Sequence, residues 1–92
     1  MITFTDDASE EQKLALYDGL AKMPVLMDFI RRYEFGPDLG LGQGNPSMAL
    51  VADFDSEEDW RKYSAHPDHL ELIGNLVKPI VAASTRVQYQ VV

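Results

Sequence analysis

Tyr63, His66 and His69 are the residues whose types and spacing invite chemistry in this chain. Imidazole titrates near neutral pH, so His69 can take a proton from a carbon next to a carbonyl, or activate water. Tyr63 can hydrogen-bond a carbonyl oxygen and stabilise the enolate that forms. Six residues on an unbroken helix turn through about 240° beyond one full circle, so the two side chains would not converge. The break at Ala65-His66-Pro67 is what brings them within reach. A second reading places His69 in the first turn of an apolar helix, packed and bonded to a backbone carbonyl; a third makes it a ligand-lining residue. His66 and His69 stand three apart and can share a metal, but a third ligand would have to come from Asp68 or distant acids. No metal site is therefore expected, and Asp68 suits a helix N-terminus instead. Trp60, the sole tryptophan, lies three residues before Tyr63 on one helical face. It fits a core or interface position as well as a ligand platform.

These residues belong to a chain of 92 residues, the size of one domain spanning 1–92. Apolar residues make up 46%, enough to bury a core. No cysteine is present, which excludes disulfides, thiolate metal sites, iron–sulfur clusters and thiol catalysis. The net charge of -7 repels phosphate backbones, so nucleic acid is not an expected partner. Arg31-Arg32 is too small a basic patch to change that. The acidic run Asp53, Asp55, Glu57, Glu58 and Asp59 reads as a solvated strand end and helix start rather than a cation site. No basic and apolar leader opens the chain, and no stretch approaches the roughly 20 apolar residues of a membrane span. A cytoplasmic location without membrane contact is the expectation.

The elements follow from periodicity and punctuation. Met1 to Thr5 reads as a short strand. Ser9 and Gln12 make a capping-box pair, and Leu14, Tyr17, Leu20 and Ala21 recur at helical spacing, with Leu16 and Met23 widening the stripe. Pro24 is expected to end or kink this helix. Phe29 to Phe35 alternates as a strand with Phe29, Arg31, Tyr33 and Phe35 on one face. Gly36 to Pro46, with four glycines and two prolines, is a loop; it lacks the Gly-Lys-Ser/Thr of a phosphate cradle. Ser47 to Phe54 is the clearest strand. Ser56 caps a second helix carrying Trp60 and Tyr63. Pro67 suits the first position of a third, whose stripe is Leu72, Ile73, Leu76, Val77 and Ile80, ended by Pro79. Val87, Tyr89 and Val91 alternate as a last strand.

Strand, helix, strand, strand, helix pair, strand is the β-α-β-β-α-β order of an α+β, ferredoxin-like domain. Helices on one face of four strands leave the other face bare, and a second copy is the simplest cover. A homodimer through the sheet faces is expected, with Tyr33, Phe35, Met48, Leu50, Tyr89 and Val91 as candidates for its interior.

The stretch from Val51 to His69 ends a strand in Phe54, starts an acidic helix, and runs through Tyr63 to His66-Pro67-Asp68-His69. With Leu76-Val77-Lys78-Pro79-Ile80 and Tyr33-Glu34-Phe35-Gly36-Pro37-Asp38, it resembles the stress-responsive A/B barrel, or Dabb, family. The resemblance implies a homodimer in which two four-stranded sheets close into a dimeric α/β barrel, and a stress- or metabolism-linked role. It also implies binding of a small apolar or aromatic molecule without a cofactor, in a pocket near Trp60, Tyr63, His69 and Ile73. Some plant members are polyketide cyclases of the olivetolic acid type; carried over, their acid/base pair falls on Tyr63 and His69. A cyclase- or isomerase-like enzyme is thus one alternative, and a structural dimer with a solid interior another. One departure from the family is the first strand: members carry a longer one, often with a basic or His residue, where this chain has Met1-Ile2-Thr3-Phe4.

Overall fold

A computed structural model describes all 92 residues. Eight elements follow in chain order: β1 (Ile2–Phe4), α1 (Glu10–Leu26), β2 (Ile30–Pro37), β3 (Met48–Phe54), α2 (Glu57–Ala65), α3 (Pro67–Leu72), a π-helical turn (Ile73–Val77) and β4 (Val81–Ser84). The four strands form one antiparallel sheet in the order β2-β3-β1-β4, the ferredoxin-like arrangement, with all helices on one face. No helix is long and apolar enough to cross a membrane.

Helix α1 starts where its sequence says it should. The Ser9 hydroxyl accepts from the Gln12 amide, and the Gln12 side chain accepts from the Ser9 amide. Two donors of the first turn are thereby satisfied. Pro24 does not end the helix, which runs two more residues to Leu26 before Met27 caps it through Met23. The buried stripe also differs from the expected one. Leu16, Leu20, Met23 and Met27 are buried, while Leu14 and Ala21 face solvent. Ile30, Met48, Leu72 and Ile80 complete the buried core, all apolar. Gly19 lets α1 approach the third helix: a Cβ there would lie 2.7 Å from Leu76 Cδ1 and 3.0 Å from Leu72 Cδ1.

The sheet faces are sorted by a bulge. Ile30 pairs with Phe54 and Arg32 with Asp53, so Arg31 is an extra residue on β2. It resets the alternation, and Ile30, Tyr33 and Phe35 all turn toward the helices. Arg31 itself reaches out to Asp55 at 2.7 Å. Met48 and Leu50 also lie on the helix side. Tyr33, Phe35, Met48 and Leu50 are therefore not the interior of a sheet-to-sheet contact, contrary to expectation. The bare face carries Thr3, Arg32, Glu34, Ala49, Val51, Asp53 and Ala83, all exposed. Arg32 pairs there with Asp53 at 3.5 Å and Glu34 at 3.8 Å.

The last strand is earlier than its alternation suggested. Val81–Ser84 pairs with β1, and residues 85–92, including Val87, Tyr89 and Val91, lie exposed beyond the sheet. The π-helical turn spends residues on a wider coil, closed by the Lys78 amide donating to the Ile73 carbonyl at 2.9 Å. The Ile80 side chain is then buried, and pairing begins at Val81.

The stripe has a direct consequence. Leu16→Ala, at a position 0% exposed, lowers the unfolding free energy in urea by about 2–5 kcal/mol. Leu14→Ala, at a position 59% exposed, changes it by about 0.5 kcal/mol or less. Equal losses at the two positions would contradict the packing described.

Candidate functional site

The site is built on an interrupted helix. Pro67 disfavours helical geometry at the residue before it, and His66 sits at φ -64 and ψ 136. That single extended residue separates α2 from α3 and redirects the chain. His66 becomes the N-cap of α3: its Nδ1 accepts from the Asp68 amide at 3.1 Å. Pro67 takes the first helical position, where no amide hydrogen is missed. Asp68 adds its charge to the first turn and lies 3.7 Å from the His66 ring nitrogen. His66 is thus occupied in capping. No three His, Asp or Glu side chains gather closely enough to hold a metal ion.

The redirected chain brings Tyr63 and His69 together. Their ring centroids are 4.2 Å apart and the planes tilt by 43°. His69 Nδ1 lies 3.2 Å from the Ser64 carbonyl oxygen. A carbonyl only accepts, so Nδ1 carries the hydrogen and Nε2 carries the lone pair. Ser64 is near the end of α2, where carbonyls lose their helical partners, so His69 satisfies an orphan acceptor. The packed-histidine reading and the convergence reading are both realised in one side chain.

Two residues from the sheet complete the cluster. Tyr33 on β2 places its hydroxyl 2.8 Å from that of Tyr63, with ring centroids 6.0 Å apart. Phe54 at the end of β3 packs against Tyr63 at 5.3 Å. Sequence reasoning missed Tyr33 as a member because alternation shows which residues share a face, not which face the helices cover. Burial raises the pKa of both phenols, Tyr33 the more strongly, aided by its neighbour Tyr63. At Tyr63 the bond with Tyr33 offsets part of that rise. Burial lowers the His69 pKa, against an opposing effect of the Ser64 bond; the charge of His66 lowers it further. All three side chains are uncharged at neutral pH, and the Tyr63 ring lies against the imidazole whose Nε2 makes no hydrogen bond in the chain.

The other expected site residues are placed differently. Trp60 is half-buried on α2 and makes no ring-to-ring contact with the cluster. Ile73 is half-buried and packs against the core. Two open clefts lie elsewhere. One is bounded by the 38–46 loop, Met1, Met48 and Ala49, the other by Phe4, Thr5, Lys13 and Tyr17. Neither is lined by Tyr63 or His69.

Comparison with known proteins adds the following. The sequence model of the Stress responsive A/B Barrel Domain, Dabb, matches residues 1–91. A dimeric ferredoxin-like protein of unknown function from Thermobifida fusca YX is 34% identical, with a TM-score of 0.82, over 90% of this chain and 77% of its own. A dimeric protein of unknown function and ferredoxin-like fold from Bacteroides fragilis is 24% identical, with a TM-score of 0.67, over 89% and 82%. An Arabidopsis thaliana protein shares the fold at 22% identity and a TM-score of 0.72, over 98% and 93%. No curated protein matches the chain.

The surroundings of His69 fix its response to acid. Its folded pKa lies below the ordinary 6.5, so the folded chain binds this proton less readily than the unfolded chain. Its share of stability is complete above pH 6.5 and is lost as pH falls from there through the folded value. An NMR titration of the imidazole should give a midpoint below 6.5, and His69→Gln should remove that part of the acid destabilisation. A midpoint at the ordinary value of 6.5 would show that the ring is solvated rather than buried.

Proposed function

Because the chain belongs to the stress-responsive A/B barrel family, we propose that it acts as a homodimer whose subunits meet through their bare sheet faces. Each subunit binds a small aromatic or apolar molecule bearing an oxygen, held against Tyr63 and His69. The observation that carries the binding reading is the uncharged cluster of Tyr33, Tyr63 and His69, in which a basic nitrogen and a phenol stand side by side between aromatic rings. Apolar walls with a few convergent polar atoms are the usual composition of a small-molecule site. The dimer reading is supported by the dimeric relatives and by a sheet with one uncovered face.

The bare face gives the dimer its character. Thr3, Ala49, Val51 and Ala83 are small and allow close approach, while Arg32, Glu34 and Asp53 form a charged strip at one end. Burying Val51, 42% exposed in the single chain, would supply part of the apolar contact.

A cyclase- or isomerase-like reaction is a second reading, favoured by the tautomer of His69. With Nδ1 committed to Ser64, Nε2 is free to take a proton from the carbon next to a ligand carbonyl. Tyr63 would donate a hydrogen bond to the oxygen as the electron pair moves onto it. The proton rests on Nε2, the enolate oxygen is stabilised by Tyr63, and returning the proton to another carbon completes an isomerisation.

Three experiments test these readings. Val51→Asp should convert the dimer to a folded monomer, as read by light scattering; a dimer that survives would place the interface elsewhere. Titrating labelled protein with phenol and acetophenone should give saturable shifts at His69, Tyr63 and the neighbouring backbone amides, and the affinity read from those amides should weaken at least about tenfold in the variant combining Tyr63→Phe and His69→Ala, as for loss of hydrogen bonds from a desolvated site. Unchanged affinity in that variant would remove the site from consideration. For the enzyme reading, exchange of the acetophenone methyl protons into deuterated water should rise through the low His69 pKa and then level off. Exchange that persists in His69→Ala would exclude His69 as the base.

A further inference from the structure

The joint between α2 and α3 is spanned by two imidazoles that use Nδ1 in opposite senses. His66 Nδ1 accepts from the Asp68 amide at 3.1 Å. An amide only donates, so this nitrogen carries the lone pair and its ring is neutral. His69 Nδ1 lies 3.2 Å from the Ser64 carbonyl oxygen and carries a hydrogen. Acid therefore treats the two bonds differently. A protonated His69 still donates to Ser64. A protonated His66 has a hydrogen on both nitrogens and nothing with which to accept, so the Asp68 amide loses its partner. The His66 side chain is 31% exposed, which leaves it open to protons from solvent.

Residue 66 is linked to both members of the ring pair. Its amide donates to the Tyr63 carbonyl at 3.2 Å, and its carbonyl accepts from the Leu70 amide at 3.0 Å. The first bond closes α2 behind Tyr63. The second opens the turn of α3 on which His69 stands. Pro67 has no amide hydrogen, so the Asp68 amide is the first in α3 that needs a partner, and His66 Nδ1 is the one it has.

We propose that neutral His66 is a positioning residue: by capping α3 it holds His69 against Tyr63, and protonation of His66 releases that hold. The inference rests on the binding reading above, since the ring pair is the site named there, and it adds the residue that assembles the pair. His66 does not touch the ligand. The titratable groups facing it are the Asp68 carboxylate, 3.7 Å from Nδ1, and His69 in the next turn. The carboxylate offers a protonated ring a partner. In taking it, the ring turns from the Asp68 amide to the Asp68 side chain, so the cap is lost either way.

Asparagine separates capping from titration, because its side-chain oxygen accepts from a first-turn amide and does not titrate. Alanine removes both properties. The test follows two signals in the full chain from about pH 8 to about pH 5, the range in which imidazoles titrate. These are the Asp68 amide shift and the nuclear Overhauser contact between the Tyr63 and His69 rings. At the alkaline end His66→Asn should keep the contact, and His66→Ala should weaken it at least about twofold, the least expected for a lost cap. In the wild-type chain both signals should change along the His66 titration, followed on its own imidazole resonance. In His66→Asn that part should vanish, and what remains belongs to His69.

A contact unchanged by alanine overturns the proposal, as does its loss in His66→Asn, which would make imidazole packing the cause. A wild-type pH profile that persists in His66→Asn overturns it too. If His66→Ala does not fold, the comparison of wild type with His66→Asn decides alone. Acetophenone affinity is measured separately on the wild-type chain at the alkaline end. No binding there removes the binding reading and leaves the positioning of His69 decided by the ring contact.

Discussion

Pro67 has no amide hydrogen and its ring crowds the residue before it, so the chain must leave the helical conformation at His66. The rest of the site is an accounting of what that departure leaves unpaired. Ending α2 strands its last carbonyls, and beginning α3 strands its first amides. His66 Nδ1 meets the Asp68 amide on one side of the break, and His69 Nδ1 meets the Ser64 carbonyl on the other. Each histidine therefore repairs one end of the interruption. The two repairs differ in consequence: the nitrogen His66 uses is an acceptor, whereas His69 uses a donor and keeps its acceptor free. The chemical distinction between the histidines thus arises from which helix end each one closes.

The sheet makes an equivalent division. The bulge at Arg31 turns Tyr33 toward α2 and Arg32 toward the bare face. Without the extra residue the alternation from Ile30 would put Tyr33 on the opposite side, and the hydroxyl pair could not form. The same bulge sends Arg31 to Asp55 at the mouth of the loop before α2. An exposed ion pair of that kind contributes little to stability, but it lies where strand β3 hands over to the helix that carries Tyr63. The sheet thus sets the register, and the broken helix sets the angle.

Features governed by local chemistry were legible in the sequence. The caps at Ser9 and Ser56, the proline at the start of α3, the strand at Met48–Phe54 and the β-α-β-β-α-β order all follow from short-range rules. So did the convergence of Tyr63 and His69, because its cause is a proline only a few residues away. Features governed by long-range pairing were not legible. Alternation shows which residues share a face but not which face is covered, so Tyr33, Phe35, Met48 and Leu50 fall on the helix side rather than in a sheet-to-sheet interior. Residues 85–92 alternate as well as any strand, yet β1 pairs instead with Val81–Ser84, because burying Ile80 next to it fixes the register. Pro24, expected to end or kink the helix, does not end it. It falls in the last turn of α1, where only one further residue pairing follows, and Met27 still closes on Met23. The pocket expected near Trp60, Tyr63, His69 and Ile73 came with the family resemblance; of the four, Tyr63 and His69 are in ring contact, while Trp60 and Ile73 are half-buried outside that cluster.

Stability by itself does not account for the polar cluster. All eight buried side chains are apolar, and they lie in a stripe from α1 to Met48, Leu72 and Ile80. The tyrosines stand at the margin of that core, half-buried. Replacing both members of a buried hydrogen-bonded pair by apolar groups of the same shape is often close to neutral, because the bond and the desolvation it offsets disappear together. Phenylalanine at both positions would keep the ring contacts among Tyr33, Phe54 and Tyr63. What it would lose is the one place on the helix side where a hydroxyl hydrogen and a basic nitrogen stand together without charge. In such a partly dehydrated setting a polar ligand oxygen gains more from a fixed donor than it would from water, since the donor need not be reoriented when the bond forms. The cluster contributes little to the fold that packing alone would not supply, and its hydroxyls and imidazole are the groups on which the proposed binding or proton-transfer role rests.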